Sequence, residues 1–497
     1  MKTLYKLLFC VFLSLFSISC SKWIDVKPSD RLSEDQQFVN KEGYLKALNG
    51  VYVEMTNKVS YGQEMTAGAL DVMAGYYFMN ISTHSYYQFV TFVYTGDKPK
   101  STFDAAWSKA YQLIANCNVI LEKCGDAPSE ALPEPYYGII KGETLALRAM
   151  LHLDMLRLFG PIYTEANKTK PVLPYVNKTG FGVSPLLSSE QFMQLVTDDL
   201  KMALSLMATT DPIRTEGVRN GNNNSGSNDF YYRQYRLNYY AAKALLARAY
   251  LWQSKTTDAY ATAVELLQEV QTPGKVRFPY VTAANATSAT LPDRVFSTEV
   301  MFSLYDINRK NMYERVFDVN LNANTKLAFD SGNGVMNRVI SIFPNENDYR
   351  RRCWQIVSSG TVSGLTNLKY QDVVATSGAT PVSGPGRYMI PLIRLTEVVL
   401  IAAECSPNLN TGIGYLNEVK RNRNTPNANP TSTTELKTEI TNEFIREFIG
   451  EGQQFFYYKR NGATAILNHA VVNGGTKPMV LNNYVVPLPD SEISQRN

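Results

Sequence analysis

Apolar residues return at helical spacing through most of this chain, and that rhythm restricts it to a body built of packed helices. Leu45, Leu48, Tyr52 and Met55 fall on one face. Trp107, Tyr111, Ile114 and Leu121 make a second stripe. Ile140, Leu147, Leu151 and Leu158 make a third, which Gly160-Pro161 stops. Ser33 and Gln36 have the spacing of a capping box, and Ser188 or Ser189 opens a helix carrying Phe192, Leu195, Ala203 and Leu206. Leu237 to Gln253 and Tyr260 to Val270 then read as a tight helical hairpin. Strand-like runs are few, Val300 to Leu304 and Tyr484 to Pro487 among them.

The hairpin carries Leu245, Ala249, Trp252, Ala261 and Pro273 at the spacings of a tetratricopeptide unit of about 34 residues, or of an unrelated helical hairpin. Leu395 to Cys405 with Gly414 to Arg423 is a second candidate pair. The helices are interrupted by two polar stretches. Asp211 to Asp229 reads as a surface loop that could also offer oxygens to calcium. Ser358 to Arg387 is rich in Gly, Ser, Thr and Pro and reads as a long irregular loop.

Residues 1–19 have the layout of a secretory signal peptide: Lys2 and Lys6, an apolar run from Leu7 to Leu15, then small residues up to Cys20. The run is far shorter than the roughly 20 residues of a membrane-spanning helix. A cysteine at the cleavage point is the bacterial lipidation site, so Cys20 is the expected anchor; the alternative is an ordinary cleaved signal. Ser17 stands where the usual lipidation pattern has leucine.

Lys and Arg number 49 against 45 Asp and Glu, a balance that gives no reason to expect nucleic acid as a partner. Cys117 and Cys124 lie about 10 Å apart along a helix, beyond the ~7 Å reach of a disulfide. With Cys353 and Cys405 they read as small buried hydrophobes. Only His84, His152 and His469 are present, which removes most histidine-based catalytic and zinc schemes. No G-x-S-x-G elbow, H-E-x-x-H pair or phosphate loop occurs. No cofactor is expected.

The C-terminal third carries the most specific pattern. Met389 to Glu404, the run Leu416-Asn417-Glu418-Val419-Lys420-Arg421-Asn422-Arg423, Glu443 to Gly452 with Lys459-Arg460, and the ending Val486 to Ile493 resemble, in order, the signature segments of the SusD/RagB family of nutrient-binding outer-membrane lipoproteins. Trp107 to Asn118, Gly142-Glu143 through Arg148 to Gly160, Asp348-Tyr349-Arg350 and Lys369-Tyr370 resemble its earlier motifs. Phe444 and Ile445 stand where many members carry arginine, Gln454 replaces another arginine, and Tyr457 replaces an aspartate, which marks a divergent branch.

The resemblance implies an all-α fold: a tetratricopeptide-like superhelix with an irregular, loop-rich second lobe containing few short strands. It implies an N-terminal helical lobe over 20–270 and a C-terminal lobe over 271–497, in one compact body. It further implies a non-enzymatic protein at the outer membrane, lipid-anchored and facing the exterior, with a SusC-like TonB-dependent barrel transporter as partner. The ligand is a glycan or, as the alternative, an oligopeptide; a surface glycoside hydrolase is the third reading.

Glycan capture calls for aromatic faces beside amides and carboxylates. That directs attention to Tyr61–Tyr94, with Asp71, Tyr76, Tyr77, Asn80, Tyr86 and Tyr87, and to Tyr280–Tyr313, with Tyr305 and Asp306. Glu443, Glu447 and Glu451, four apart, read as an ion-pair lattice reaching Arg394, Glu397 and Glu404. Arg148 and His152 read as structural on the same grounds.

Overall fold

The computed structural model describes residues 34–180, 182–221, 226–272, 277–330, 335–377 and 380–496. The signal peptide, Cys20 and Ser33 lie outside them.

Helix dominates, at 49% against 9% strand. The longer helices are α1 (Lys41–Met55), α2 (Asp97–Cys124), α3 (Tyr136–Phe159), α4 (Ser189–Thr210), α5 (Tyr239–Trp252), α6 (Thr256–Gln271), α7 (Leu395–Glu404), α8 (Leu409–Asn422), α9 (Thr433–Glu447) and α10 (Gln454–Arg460). Asn40 starts α1, its side chain accepting from the Gly43 N–H at 3.1 Å. Ser188, with Gln191, closes a full capping box on α4. Gly125, at φ 64°, ends α2 in a conformation that favours glycine.

Successive helices pack on one another: α1 on α2, α2 on α3, α3 on α4, α4 on α5, α5 on α6, α6 on α7, and α7 on α8 and α9. This is a solenoid of helix pairs. Both expected hairpins are present, as α5–α6 and α7–α8. Helices from either side of residue 270 pack directly together. One feature differs from the periodic reading: α3 is buried on nearly every face, where a one-sided stripe is expected. A helix surrounded on all sides needs no polar face.

The strands form two-stranded antiparallel ladders: β1 (Pro171–Pro174) with β2 (Leu186–Ser188), β3 (Val300–Tyr305) with β8 (Met389–Arg394), β4 (Trp354–Ser359) with β5 (Val362–Asn367), β6 (Val374–Ser377) with β7 (Thr380–Ser383), and β9 (Ala465–Leu467) with β10 (Thr476–Pro478). Strand β8 runs straight into α7, so β3 is tied to the solenoid. The stretch 358–387 therefore contains hairpins where a long loop is expected. Ser359 pairs with Val362 across a two-residue turn, and Gly360 at φ 58° supplies the positive φ that a type II′ turn needs first. Tyr484–Pro487 forms no strand; Leu481–Tyr484 is a short 3₁₀ turn.

Buried charges fasten the C-terminal third. Glu447 receives Arg350 at 2.8 Å, Arg394 at 2.5 Å and Arg423 at 2.6 Å. Arg350 also binds Glu443 at 2.6 Å and Asp348 at 2.7 Å, while Arg423 binds Glu299 at 2.6 Å. Glu451, in the turn after α9, takes Lys369 and Arg394. Glu397 and Glu404 stand outside this lattice, contrary to expectation. They pair instead with Arg248 and Arg460.

Asp71 is fully buried and ties the turn after α9 to the N-terminal half. Its carboxylate accepts from the backbone N–H groups of Gly450 and Gly452 and from the Tyr77 hydroxyl. Burial pushes this carboxyl up to about 7, against the pull of those donors. A carboxyl raised above its unfolded value of 3.8 favours folding most below that value, and the advantage is lost as pH rises toward 7. Urea unfolding of wild type and Asp71→Asn between pH 5 and 7.5 is expected to show the wild type losing stability with rising pH and the variant lacking that slope. Parallel slopes would refute the assignment.

Candidate functional site

Strand β3 ends at Tyr305, opposite Met389 of β8. The pairing sets Tyr305 beside Tyr388, with ring centroids 5.3 Å apart. Tyr235, in the 3₁₀ turn Arg233–Tyr235, meets the same ring edge-on at 5.2 Å and 90°. Tyr305 is 49% exposed and Ile307 62% exposed. Arg387 lies 5.0 Å over the Tyr388 ring and is held by both oxygens of Asp372, at 2.6 and 2.8 Å. The outcome is one half-exposed ring, Tyr305, resting on two partly buried ones, with a fixed guanidinium at the edge. Asp306 contributes by shaping the turn: its N–H bonds the Tyr388 carbonyl, and its side chain accepts from the Asn308 N–H at 2.8 Å.

A second feature lies where Phe78–Ser85 meets 324–328. The N–H of Phe78 donates to the Ala328 carbonyl at 2.8 Å, and that of Ser85 to Asn324 at 2.8 Å. Between them opens a cavity of about 210 Å³, lined by Asn80, Ile81, His84, Leu321, Lys326 and Val362 among others. Asn80 is exposed here. Burial lowers the His84 pKa, and its Nε2 lies 3.2 Å from the Lys326 carbonyl. A larger concavity of about 700 Å³, by Asn345, Lys420, Asn427–Pro430 and Glu435, has no aromatic ring in its lining.

Several expected ligand residues prove to be interior. Asp71, Tyr76 and Tyr77 are buried, and the Tyr76 hydroxyl donates to the Ile445 carbonyl at 2.9 Å. Their rings and carboxyl are enclosed by packing and offer no face to a ligand. Tyr86 is nearly buried, its hydroxyl bonded to Glu64 at 3.1 Å. Tyr87 is half-buried, edge-on to His469 at 6.5 Å. Arg148 binds Asp199 through two nitrogens at 2.7 and 2.8 Å. His152 stacks on Tyr175 at 3.8 Å, and burial lowers its pKa to about 3. Both are structural.

All four cysteines among the described residues are free, and burial pushes the Cys117 and Cys124 thiols up to about 12. Among these residues no group of three or more His, Cys, Asp or Glu is arranged to hold a metal, and no helix is long and apolar enough to cross a membrane.

The family model of the SusD family matches residues 355–496, and a model described as starch-binding, associating with outer membrane, matches residues 22–210. This chain belongs to the SusD family. Solved structures agree on the fold. A putative sugar binding protein from Bacteroides vulgatus superposes with TM-score 0.66 at 20% identity, over 92% of this chain and 97% of its own. A SusD superfamily protein from Bacteroides thetaiotaomicron gives 0.64 at 20%, over 92% and 98%. A laminarin binding SusD-like protein gives 0.62 at 19%, over 91% and 97%. Curated protein sequences give no match.

Two of the residues expected to depart from the SusD pattern touch each other. Phe444 stacks on Tyr457 at 4.4 Å and 25°. The Tyr457 hydroxyl reaches Thr441 at 2.8 Å. Tyr235 and Tyr388 were not legible as site residues. Tyr388 directly precedes the signature segment beginning at Met389, but only the β3–β8 register shows that it neighbours Tyr305.

Proposed function

We propose that this SusD-family chain captures oligosaccharide at the outer membrane and hands it to a TonB-dependent barrel transporter. The observation that carries the reading is the exposed Tyr305 ring, packed against the partly buried Tyr235 and Tyr388 beside the clamped Arg387. Sugar rings present apolar C–H faces that stack on aromatic rings, while their hydroxyls take hydrogen bonds from flanking polar groups. A relative of the same fold is described as laminarin binding, and another as a putative sugar binding protein. The chemistry of the patch suits binding without bond-breaking. His152 and His84 have lowered pKa values, and Glu443 and Glu447 are committed to arginines. We read the protein as a binder, without cofactor, whose ordered solenoid offers a broad face to the transporter.

Calorimetric titration against a panel of oligosaccharides tests the reading; it predicts saturable binding to at least one class. Saturable binding of a peptide pool and of no sugar would transfer the role to oligopeptides. Anchoring is tested separately. Cys20→Ala is expected to move the protein from the membrane fraction to the soluble fraction and to abolish its labelling by radioactive palmitate. An unchanged distribution would refute lipidation at Cys20.

A further inference from the structure

A pocket of about 370 Å³ opens between Lys58–Glu64, Tyr86, the first turns of α2 and Arg315. Lys98, Ser101, Thr102 and Ala105 turn one face of α2 toward it, at the spacing of a helix side. Three cations line it: Lys58, Lys98 and Arg315. None has a carboxylate at salt-bridge distance among the described residues. Two other lysines of the same helix do pair, Lys100 with Asp490 at 2.6 Å and Lys109 with Glu54 at 2.8 Å.

Arg315 is positioned from below. Its Nε donates to Oε1 of Gln63 at 2.6 Å, and Gln63 is buried and bonded to the Tyr86 hydroxyl at 2.9 Å. Its two terminal amino groups have no protein acceptor among the described residues. Glu64 is the one carboxylate in the lining, and its oxygens are taken by Tyr86, Gln63 and the Ala69 N–H. Glu64 acts on all three cations from within the lining, and Asp306 and Glu314 act on Arg315 from outside it. Thr102 adds a hydroxyl; those of Ser85, Ser101 and Thr325 already donate to the carbonyls of Asn324, Lys98 and Asn322.

We propose that this pocket receives an oxyanion carried on a sugar, the carboxylate of a uronic acid or a sulfate ester, and that the captured glycan is therefore acidic. The inference rests on the glycan-binding reading above. A guanidinium pinned at Nε presents its remaining donors as a fork suited to two oxygens of one anion. The two lysines and the Thr102 hydroxyl complete the shell around it. The three cations are solvent-exposed, so a neutral chain gains nothing from them, whereas an acidic chain gains their charge.

The test titrates the full mature chain by calorimetry with three oligosaccharides of equal length: neutral, uronic-acid-containing and sulfated. At least one acidic oligosaccharide is expected to bind tenfold or more tightly than the neutral one, with an affinity that falls as salt rises. The uronic and sulfated arms distinguish the two anions. The double variant Lys98→Gln with Arg315→Gln is expected to reduce the acidic oligosaccharide to the affinity of the neutral one, and Lys58→Gln to lower it by a smaller factor. Equal binding of neutral and acidic chains, or a preference that survives the double variant, overturns the inference and leaves the glycan reading standing. Binding of no oligosaccharide, or of an acidic peptide alone, overturns both.

Discussion

Replacing Glu447 with glutamine is expected to cost about 3–5 kcal/mol of folding free energy, the range for breaking a buried ion pair from one side. The glutamine keeps the shape and removes the charge. Arg350, Arg394 and Arg423 would then stay buried around a neutral amide. Burial alone would raise the Glu447 carboxyl, yet the guanidiniums of Arg423 and Arg394 outweigh it and hold the group well below its usual value. Glu443 is lowered in the same way, with Arg350 outweighing burial. The sign of the pH dependence follows. Carboxyls depressed below their unfolded value of 4.5 contribute fully above it, and the contribution is lost as pH falls through the folded value. Urea unfolding at neutral pH should therefore separate Glu447→Gln sharply from Lys437→Gln, an exposed site on the same helix expected to shift stability by less than about 0.5 kcal/mol. Equal midpoints for the two variants would show that the lattice does not hold the C-terminal third together.

Tyr305→Ala is expected to weaken oligosaccharide binding at least tenfold, about 1.4 kcal/mol, and to leave the melting temperature within a degree. The ring is half-exposed at the end of β3, so its loss opens no cavity in the core. Tyr305→Phe keeps the stacking face and should bind close to wild type. Tyr388→Ala and Tyr235→Ala remove the neighbours that orient the ring and should give smaller losses. If Tyr305→Ala binds as tightly as wild type, the ligand lies elsewhere, and the polar concavity beside Asn427 becomes the first place to look.

The helices were legible in the sequence because period and caps agree. Ser188, one of the two serines expected to open α4, does so, and α5 and α6 carry the expected hairpin. The seam of Glu443 and Glu447 was legible as a set of ion pairs, since acids four apart on one face call for basic partners. Most of the partners were not. Arg350 sits on a 3₁₀ turn 93 residues before Glu443, and nothing in either segment announces the other. Tyrosine-rich segments misled for a related reason. A ring has an apolar body and a polar tip, so Tyr76 and Tyr77 in the core and Tyr305 at the surface look alike in sequence. What separates them is a tertiary partner for the hydroxyl: the Ile445 carbonyl for Tyr76 and Asp71 for Tyr77. The hairpins within 358–387 were hidden by their composition, because Gly, Ser and Thr mark turns and also fill short exposed strands.

Saturation-transfer NMR on mature protein mixed with a defined oligosaccharide reports contact and chemical fate in one sample. The account predicts transfer from protein to the C–H protons of the sugar ring faces, weakened in Tyr305→Ala, with the oligosaccharide intact after a day. Absence of transfer across every oligosaccharide class, or the growth of signals from shorter sugars, would contradict it.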